Sequence, residues 1–407
     1  MSVLLSVARF NANSDRANLN CNRNPQDSKS IIDENPGLGI TRICSEDNNM
    51  KTYRALYPIL CSQENLQRAF KKARRGKTKK WYVLEFENNL EQEINALHCE
   101  LKEKIYQPAP LKQFIIRDPK TREIHASAFR DRVAYHAIVN VLEPIYEKKF
   151  IYDSYASRKE KGTHKSIERY DSFQLRVSKN GQLINKPDTN NNIVGYALKA
   201  DIRHYFASVD HEVLLSILRR TIKDEHVVWL IKKILDNFET EINGKGMPLG
   251  NLTSQFFANV YLNELDYFVK HHLRAKYYLR YVDDFVILHQ NKKTVESYHE
   301  RIICFLKSLN LELHPDKTKI IPLRNGLTFL GYRNFHYHRL LRKSNVRTYK
   351  KKILREQELM KKGLLSQEEI MQHLQGWFGY AQWANTYRLR QEIMKKCGLK
   401  KPSSLDA

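Results

Sequence analysis

Apolar and polar positions follow two different periods along this chain, and the changes of period mark its elements. Residues 1–49 keep neither period. "NANSDRANLNCNRNPQDSKS" mixes Asn with small and charged residues that favour turns, so on its own the segment is expected to be loop-like or disordered. From Met50 the spacing becomes helical: "YRALYPILCSQENLQRAFKKAR" predicts a helix with Ser62 placed as an N-cap and Glu64 close behind. A long helical pattern covers 85–105. "LKQFIIRDPKTREIHASA" then predicts a hairpin turning at Asp118-Pro119. "FRDRVAYHAIVNVLEPIYEKKF" predicts a helix, and 178–194, with Gly, Pro and an Asn run, an inserted loop. Next come a strand "GYALKADI", a helix "DHEVLLSILRRTI", a Gly-bracketed turn "GMPLGNLTSQ" (246–255) and a helix "SQFFANVYLNELDYFVKHHL". "YYLRYVDDFVILH" has the form strand–turn–strand. A helix "TVESYHERIICFLKSL" and a strand "LELHPDKTKIIPL" follow, and 346–400 is helical and basic. The class is α+β, without an internal repeat.

Charge changes the picture. Among 407 residues, 69 Lys and Arg face 45 Asp and Glu, a net charge of +24, which favours an anionic partner, with nucleic acid first. A merely soluble basic protein is the competing account. The densest cationic run is "KKARRGKTKKW" (71–81). Its Lys71, Lys72, Arg74, Arg75, Lys79 and Lys80 are expected to meet nucleic-acid phosphates, unless the run is only a solvated face. Six cysteines (Cys21, Cys44, Cys61, Cys99, Cys304, Cys397) form no Cys-x-x-Cys pair, which fits reduced thiols of a cytoplasmic protein. No apolar run approaches the roughly 18 residues of a membrane span, so a soluble protein with no membrane partner is expected.

The candidate chemistry is carboxylate chemistry. Asp283 and Asp284 sit between two apolar strands, where adjacent acids repel unless cations neutralise them. Alone they read equally as a solvated turn. Asp201 ends a further apolar strand, and acids at the ends of neighbouring strands can converge as oxygen ligands for Mg²⁺. Two such ions, about 3.5–4 Å apart, activate a hydroxyl and stabilise a phosphate leaving group. The order βα–turn–α–ββ is that of a polymerase palm.

With "KADIRHYFASVD", "YVDD" and "FLGYR" in order, residues 50–400 resemble reverse transcriptases. The resemblance implies a right-hand polymerase with fingers at 50–195, palm at 196–335 and a helical thumb at 336–407. It implies RNA-directed DNA synthesis from dNTPs with two Mg²⁺ ions, Mn²⁺ being a substitute. Asp201, Asp283 and Asp284 would be the catalytic acids, and the Ile202 carbonyl would complete the metal cradle. Phe206 would lie under the sugar and exclude a ribose 2′-hydroxyl, though a core aromatic is the alternative. Lys120 and Arg122 in "DPKTREI", Arg158 in "SYASRKEKGTHKS" and Lys317 in "LHPDKTK" would contact nucleotide, template or leaving group. Hairpin-tip or surface roles compete for Lys120 and Lys317. "FLGYR" would grip the primer. Trp377, Trp383 and Tyr387 of the thumb read as core rather than as stacking platforms.

The 246–255 turn narrows the resemblance. Most reverse transcriptases have Gln-Gly, three variable residues, then Ser-Pro; here Leu249 replaces the Gln and Gln255 the Pro. That double departure, with long runs such as "GYAQWANTYRLR", resembles the enzymes of diversity-generating retroelements. This implies copying of a template-repeat RNA into cDNA with errors opposite adenine. It also implies a small basic accessory protein that oligomerises, and a bacterial, archaeal or phage gene. Leu249 and Gln255 would then be nucleotide-site residues, unless the change is neutral. Residues 1–49 resemble the Asn-rich ends of diversified proteins, so they are expected to be a translated template repeat with Met50 the ancestral start, or else an unrelated extension. Group II intron, retron and phage-defence reverse transcriptases, and an idle RNA-binding protein on the same fold, are the alternatives.

Overall fold

Ser62 divides the first predicted helix in two: its hydroxyl accepts the Asn65 amide at 3.2 Å, ending α1 (Tyr57–Cys61) and capping α2 (Gln63–Ala73). The computed structural model describes residues 51–117, 121–183 and 193–396. The N-terminal extension, the Asp118-Pro119 turn and most of the inserted loop lie outside the described residues. The long helical pattern also breaks, at Asn89, into α3 (Trp81–Asn88) and α4 (Leu90–Lys102). The hairpin forms as predicted from β1 (Lys112–Ile116) and β2 (Arg122–Ala126), and α5 (Phe129–Tyr146) follows.

Two helices were not foreseen. α6 (Thr163–Val177) buries Ile167, Tyr170, Phe173 and Val177, a helical spacing hidden among charged neighbours. After β3 (Tyr196–Asp201), the short α7 (Tyr205–Ser208) and α8 (His211–Thr221), the second of these, α9 (Glu225–Asp236), is capped by Asp224 on the His226 amide at 3.1 Å. α10 (Leu252–Tyr267) runs into a π-helical turn. Then come β4 (Tyr277–Tyr281), β5 (Asp284–His289), α11 (Lys292–Ser308) and β6 (Lys319–Pro322).

The central sheet has the order β4-β5-β3-β6, with antiparallel neighbours throughout. Both faces are covered. Leu198, Ala200, Phe285 and Ile287 join the core shared with α1–α5, α10 and α11, whereas Ala197, Leu279, Val286 and Leu288 pack on Tyr170 and Phe173 of α6. This explains why these strands read as continuous apolar runs rather than alternating ones. A three-stranded sheet, β7 (Leu327–Phe329), β8 (Tyr332–Asn334) and β9 (Arg339–Leu341), includes the "FLGYR" hairpin and crosses the expected palm–thumb boundary at 335/336.

The C-terminal α12 (Lys343–Lys361), α13 (Gln367–Ala381) and α14 (Tyr387–Lys396) form a helical unit around Tyr349, Ile353, Leu374 and Phe378. Trp377 stacks on Tyr349 at 4.0 Å, and Trp383 on His164 at 4.0 Å. Tyr387 is exposed.

One charged residue sits inside the sheet. Arg280 of β4 is fully buried, paired with the fully buried Asp266 of α10 at 2.6 Å. Its remaining donors reach the Asn259 side chain at 3.2 Å and the Val282 carbonyl at 3.0 Å, while the Tyr278 hydroxyl bonds Asp266 at 2.6 Å. Asn259 in turn donates to the Ala156 carbonyl at 2.9 Å, so one network ties α10, the segment before α6 and the turn after β4. Removing one partner strands the other charge in the core. Arg280→Met is expected to cost about 3–5 kcal/mol in urea unfolding, and Arg280→Met with Asp266→Leu to recover much of that loss. Simple additivity of the two single losses would contradict this.

Candidate active site

Antiparallel pairing builds the site. Asp201 ends β3, Asp284 begins β5, and the two are in register across the ladder, so both acids stand at one end of the sheet. Asp283 lies in the turn between β4 and β5. There Val282 adopts φ +56°, a left-handed conformation that is costly for a β-branched residue. Arg280 holds the Val282 carbonyl from beneath at 3.0 Å. From beside, the Ile202 amide donates to the Asp283 carbonyl at 3.2 Å, and the His314 amide to the Asp201 carbonyl at 2.7 Å. The carboxylates are thus aimed by a backbone bonded on both sides.

Their electrostatics differ. Burial raises the Asp283 pKa and the nearby Asp201 raises it further, while Lys317 and Arg122 pull it back. Asp284 is pushed up to about 7 by burial, against the opposing effect of Lys199 at 3.3 Å. One of its oxygens, Oδ1, is buried without a hydrogen-bond partner. Lys317 pairs with Asp201 at 2.7 Å. Two acids, a loop lysine and an arginine from the β1–β2 hairpin therefore share one electric field.

The 246–255 turn is fastened to both sides of this region. The Met247 amide donates to the Phe206 carbonyl at 2.7 Å, and the Gly246 amide to the Val209 carbonyl at 2.7 Å. On the other side, the His125 amide reaches the Leu249 carbonyl at 3.4 Å, and Ser127 bonds Asn251 at 3.1 Å. Gly250 has φ +105°, a conformation that strains any L side chain, and a Cβ there would lie 3.1 Å from the Ile124 side chain, a tight contact against β2. Leu249 and Phe206 are half-buried, and Gln255 is exposed, accepting from Ser157 at 3.2 Å.

Other expected residues are placed elsewhere. Arg158 is turned inward and almost fully buried: it pairs with Glu147 at 2.6 Å and donates to the Ile151 and Ser154 carbonyls at 2.7 and 2.8 Å. With its guanidinium committed to these partners, Arg158 braces the loop. Lys120 lies outside the described residues. Of the basic run, Arg74 pairs with Glu87 at 2.9 Å and Lys72 bonds Asn140, whereas Lys71, Arg75, Lys79 and Lys80 are exposed, next to a Trp81 that is 69% exposed. The sequence reading missed Arg280, Asp266, Asn259 and Lys199. Its one available signal was an arginine at a core-facing position of an otherwise apolar strand.

The donor set fits divalent cations in part. Asp201, Asp283 and the Ile202 carbonyl supply hard oxygens, and the mutual repulsion of buried carboxylates is what a cation relieves. Asp284 offers an unpartnered oxygen but leans on Lys199, and among the described residues no group of three or more His, Cys, Asp or Glu is arranged to hold a metal. The fit is to a pair of acids with a third in reserve.

Known proteins are similar to this chain over part of its length. The family model described as "Reverse transcriptase (RNA-dependent DNA polymerase)" matches residues 116–334, more than half of the chain. Protein YkfC of Escherichia coli is 29% identical over 62% of this chain and 72% of its own length. The group II intron-encoded protein LtrA of Lactococcus lactis is 27% identical over 44% of this chain, which spans only 28% of that relative. Among solved structures, apo telomerase from Candida tropicalis aligns with a TM-score of 0.43 and 14% identity, over 56% of this chain and 48% of that one. No helix among the described residues is long and apolar enough to cross a membrane.

The strained turn generates a test. Val282→Gly removes the left-handed penalty while loosening the turn, so urea stability is expected to change by no more than about 1 kcal/mol. Mn²⁺ binding measured by calorimetry is expected to weaken severalfold. Unchanged Mn²⁺ affinity would show that turn rigidity does not aim the acids.

Proposed function

The chain belongs to the reverse transcriptase family, and from that premise we propose that it copies RNA into DNA where β3 ends and β5 begins. The observation that carries this reading is the shared field of Asp201, Asp283, Lys317 and Arg122 beside a register that sets Asp201 against Asp284. Asp201 and Asp283, with the Ile202 carbonyl, would hold two Mg²⁺ ions, or Mn²⁺ in their place, and Asp284 would tune their charge through Lys199. When bound, such ions would supply Lewis-acid chemistry at these residues, for a primer 3′-hydroxyl and for a pyrophosphate leaving group. Lys317 and Arg122 supply positive charge to the triphosphate of the incoming dNTP, a role that Lys120, two residues before Arg122 in the sequence, would share. Phe206, fixed through its carbonyl to the 246–255 turn, lies under the sugar and disfavours a ribose. The exposed cations of 71–80 and of α12 track the backbones of template and RNA–DNA hybrid.

The finer reading is that of a diversity-generating retroelement enzyme, working on a template-repeat RNA with a small basic oligomeric accessory protein. Leu249 supports it. Its backbone is held by β2, so the side chain is presented without an amide to restrain base and sugar. Lost polar discrimination of this kind is worth about 1–3 kcal/mol, on the order of ten- to a hundredfold in selectivity. It does not account for the choice of adenine. The second reading, an intron-type enzyme, draws on the likeness to the intron-encoded relative.

Two outcomes are expected. Asp283→Asn lowers primer extension on RNA by at least about 10³-fold without changing the unfolding midpoint by more than a few degrees. Equal extension by both proteins would leave an RNA-binding role only. Leu249→Gln lowers misincorporation opposite template adenine about tenfold. An unchanged error spectrum would remove the diversity-generating account and leave the intron-type reading.

A further inference from the structure

A cavity of about 470 Å³ opens two residues beyond the catalytic strand end, at Arg203. Ile202 is buried, so the extended backbone sends Asp201 and Arg203 towards the same face. The ladder with the segment before Lys317 continues past the acid: the Arg203 amide donates to the Glu312 carbonyl at 2.8 Å, and Ile202 bridges to Leu313. It leads into a pocket lined by Arg203, His204, Lys245, Lys307, Asn310 and Glu312. One acid therefore faces three permanent cations and a histidine. Glu312 lies 3.8 Å from Arg203, with both side chains more than half exposed, a contact too loose to neutralise the pocket. His204 has φ +45°, and this left-handed turn folds the chain from Arg203 into α7, closing one wall of the cavity.

We propose that this pocket is an anion site that receives inorganic pyrophosphate on its way out of the active site. The inference rests on the polymerase reading above. In that reaction the primer 3′-oxygen forms a bond to the α-phosphorus, and the bond from the α-phosphorus to the bridging oxygen breaks. Its electron pair leaves with pyrophosphate, and the hydroxyl proton passes to water. The leaving group is small and multiply charged, and it is freed beside Asp201 and Lys317. The next positive charges along the same face are those of Arg203 and the two lysines. A concave pocket of this size takes a diphosphate with its hydration shell, whereas a nucleic-acid backbone needs a continuous groove. By microscopic reversibility the same site loads pyrophosphate for the reverse reaction.

The test titrates inorganic pyrophosphate into the full chain by calorimetry, without nucleic acid, and then measures pyrophosphorolysis of a primer on RNA. Lys245→Ala combined with Lys307→Ala is expected to weaken pyrophosphate binding about 5- to 20-fold. The concentration for half-maximal pyrophosphorolysis should rise in parallel. Lys293→Ala, at the other end of α11, leaves both unchanged. The KM for dNTP moves less than twofold. Unaltered pyrophosphate binding in the double variant would overturn the proposal. So would an equal rise in the dNTP KM, because the lysines would then serve the bound triphosphate rather than the departing product. Failure of primer extension in the unsubstituted chain would sink the polymerase reading, yet the calorimetric comparison would still decide whether the pocket binds pyrophosphate.

Discussion

A single buried ion pair underlies the arrangement of this site. Arg280 and Asp266 have no exposure to solvent, and a charge in that position is tolerated only because each partner is satisfied in full. Replacing the pair with apolar residues of similar volume would serve stability as well. What an apolar pair lacks is direction. Arg280 projects a donor to the Val282 carbonyl, at the point where the backbone enters a left-handed turn, and the next two residues are Asp283 and Asp284. The same guanidinium reaches Asn259, which holds the loop carrying Ala156. The network therefore couples the helix that follows the 246–255 turn, the segment leading to α6 and the acid-bearing turn.

On that base the acids are divided by their neighbours. Asp201 and Asp283 face each other's charge with Lys317 and Arg122 nearby, whereas Asp284 turns to Lys199. Three carboxylates in sequence thus become a pair and a neighbour in space. The positive groups arrive from separate parts of the chain: Arg122 from the hairpin, Lys317 from the loop before β6. Their convergence depends on the β2–turn contacts at Leu249 and Asn251 and on the ladder that continues β3 to His314. The pocket beginning at Arg203 extends the same positive field away from the acids.

Much of this was legible in the sequence because it is local or periodic. The strand that ends at Asp201, the strand–turn–strand around Asp283 and the α11 helix follow from runs of apolar residues bounded by turn formers. The hairpin beginning near Lys112 and the cap at Ser62 were equally plain. What escaped was set by tertiary partners. Arg158 looked like a free cation in a charged stretch, and only the fold brings Glu147 and two carbonyls around it. α6 was masked because its apolar stripe is thin and its other positions are charged. Arg280 was visible as a charge in an apolar strand, but its partner Asp266 lies on another element. The β7–β8–β9 sheet shows the same limit, since it is built from strands of three residues and spans the boundary at 335/336 that the resemblance implied.

Assignment of the divalent cations to Asp201 and Asp283 is a proposal that chemistry at the metal itself can check. Its most direct test is metal-directed cleavage: Fe²⁺ replaces Mg²⁺ in the full chain, ascorbate and peroxide generate hydroxyl radicals, and the broken peptide bonds are mapped by mass spectrometry. Cuts are expected to cluster around residues 201–203 and 282–284, to be suppressed by excess Mg²⁺ and to be absent from Asp283→Asn. Cuts confined to other segments, or cuts at these residues that persist in Asp283→Asn, would contradict the assignment.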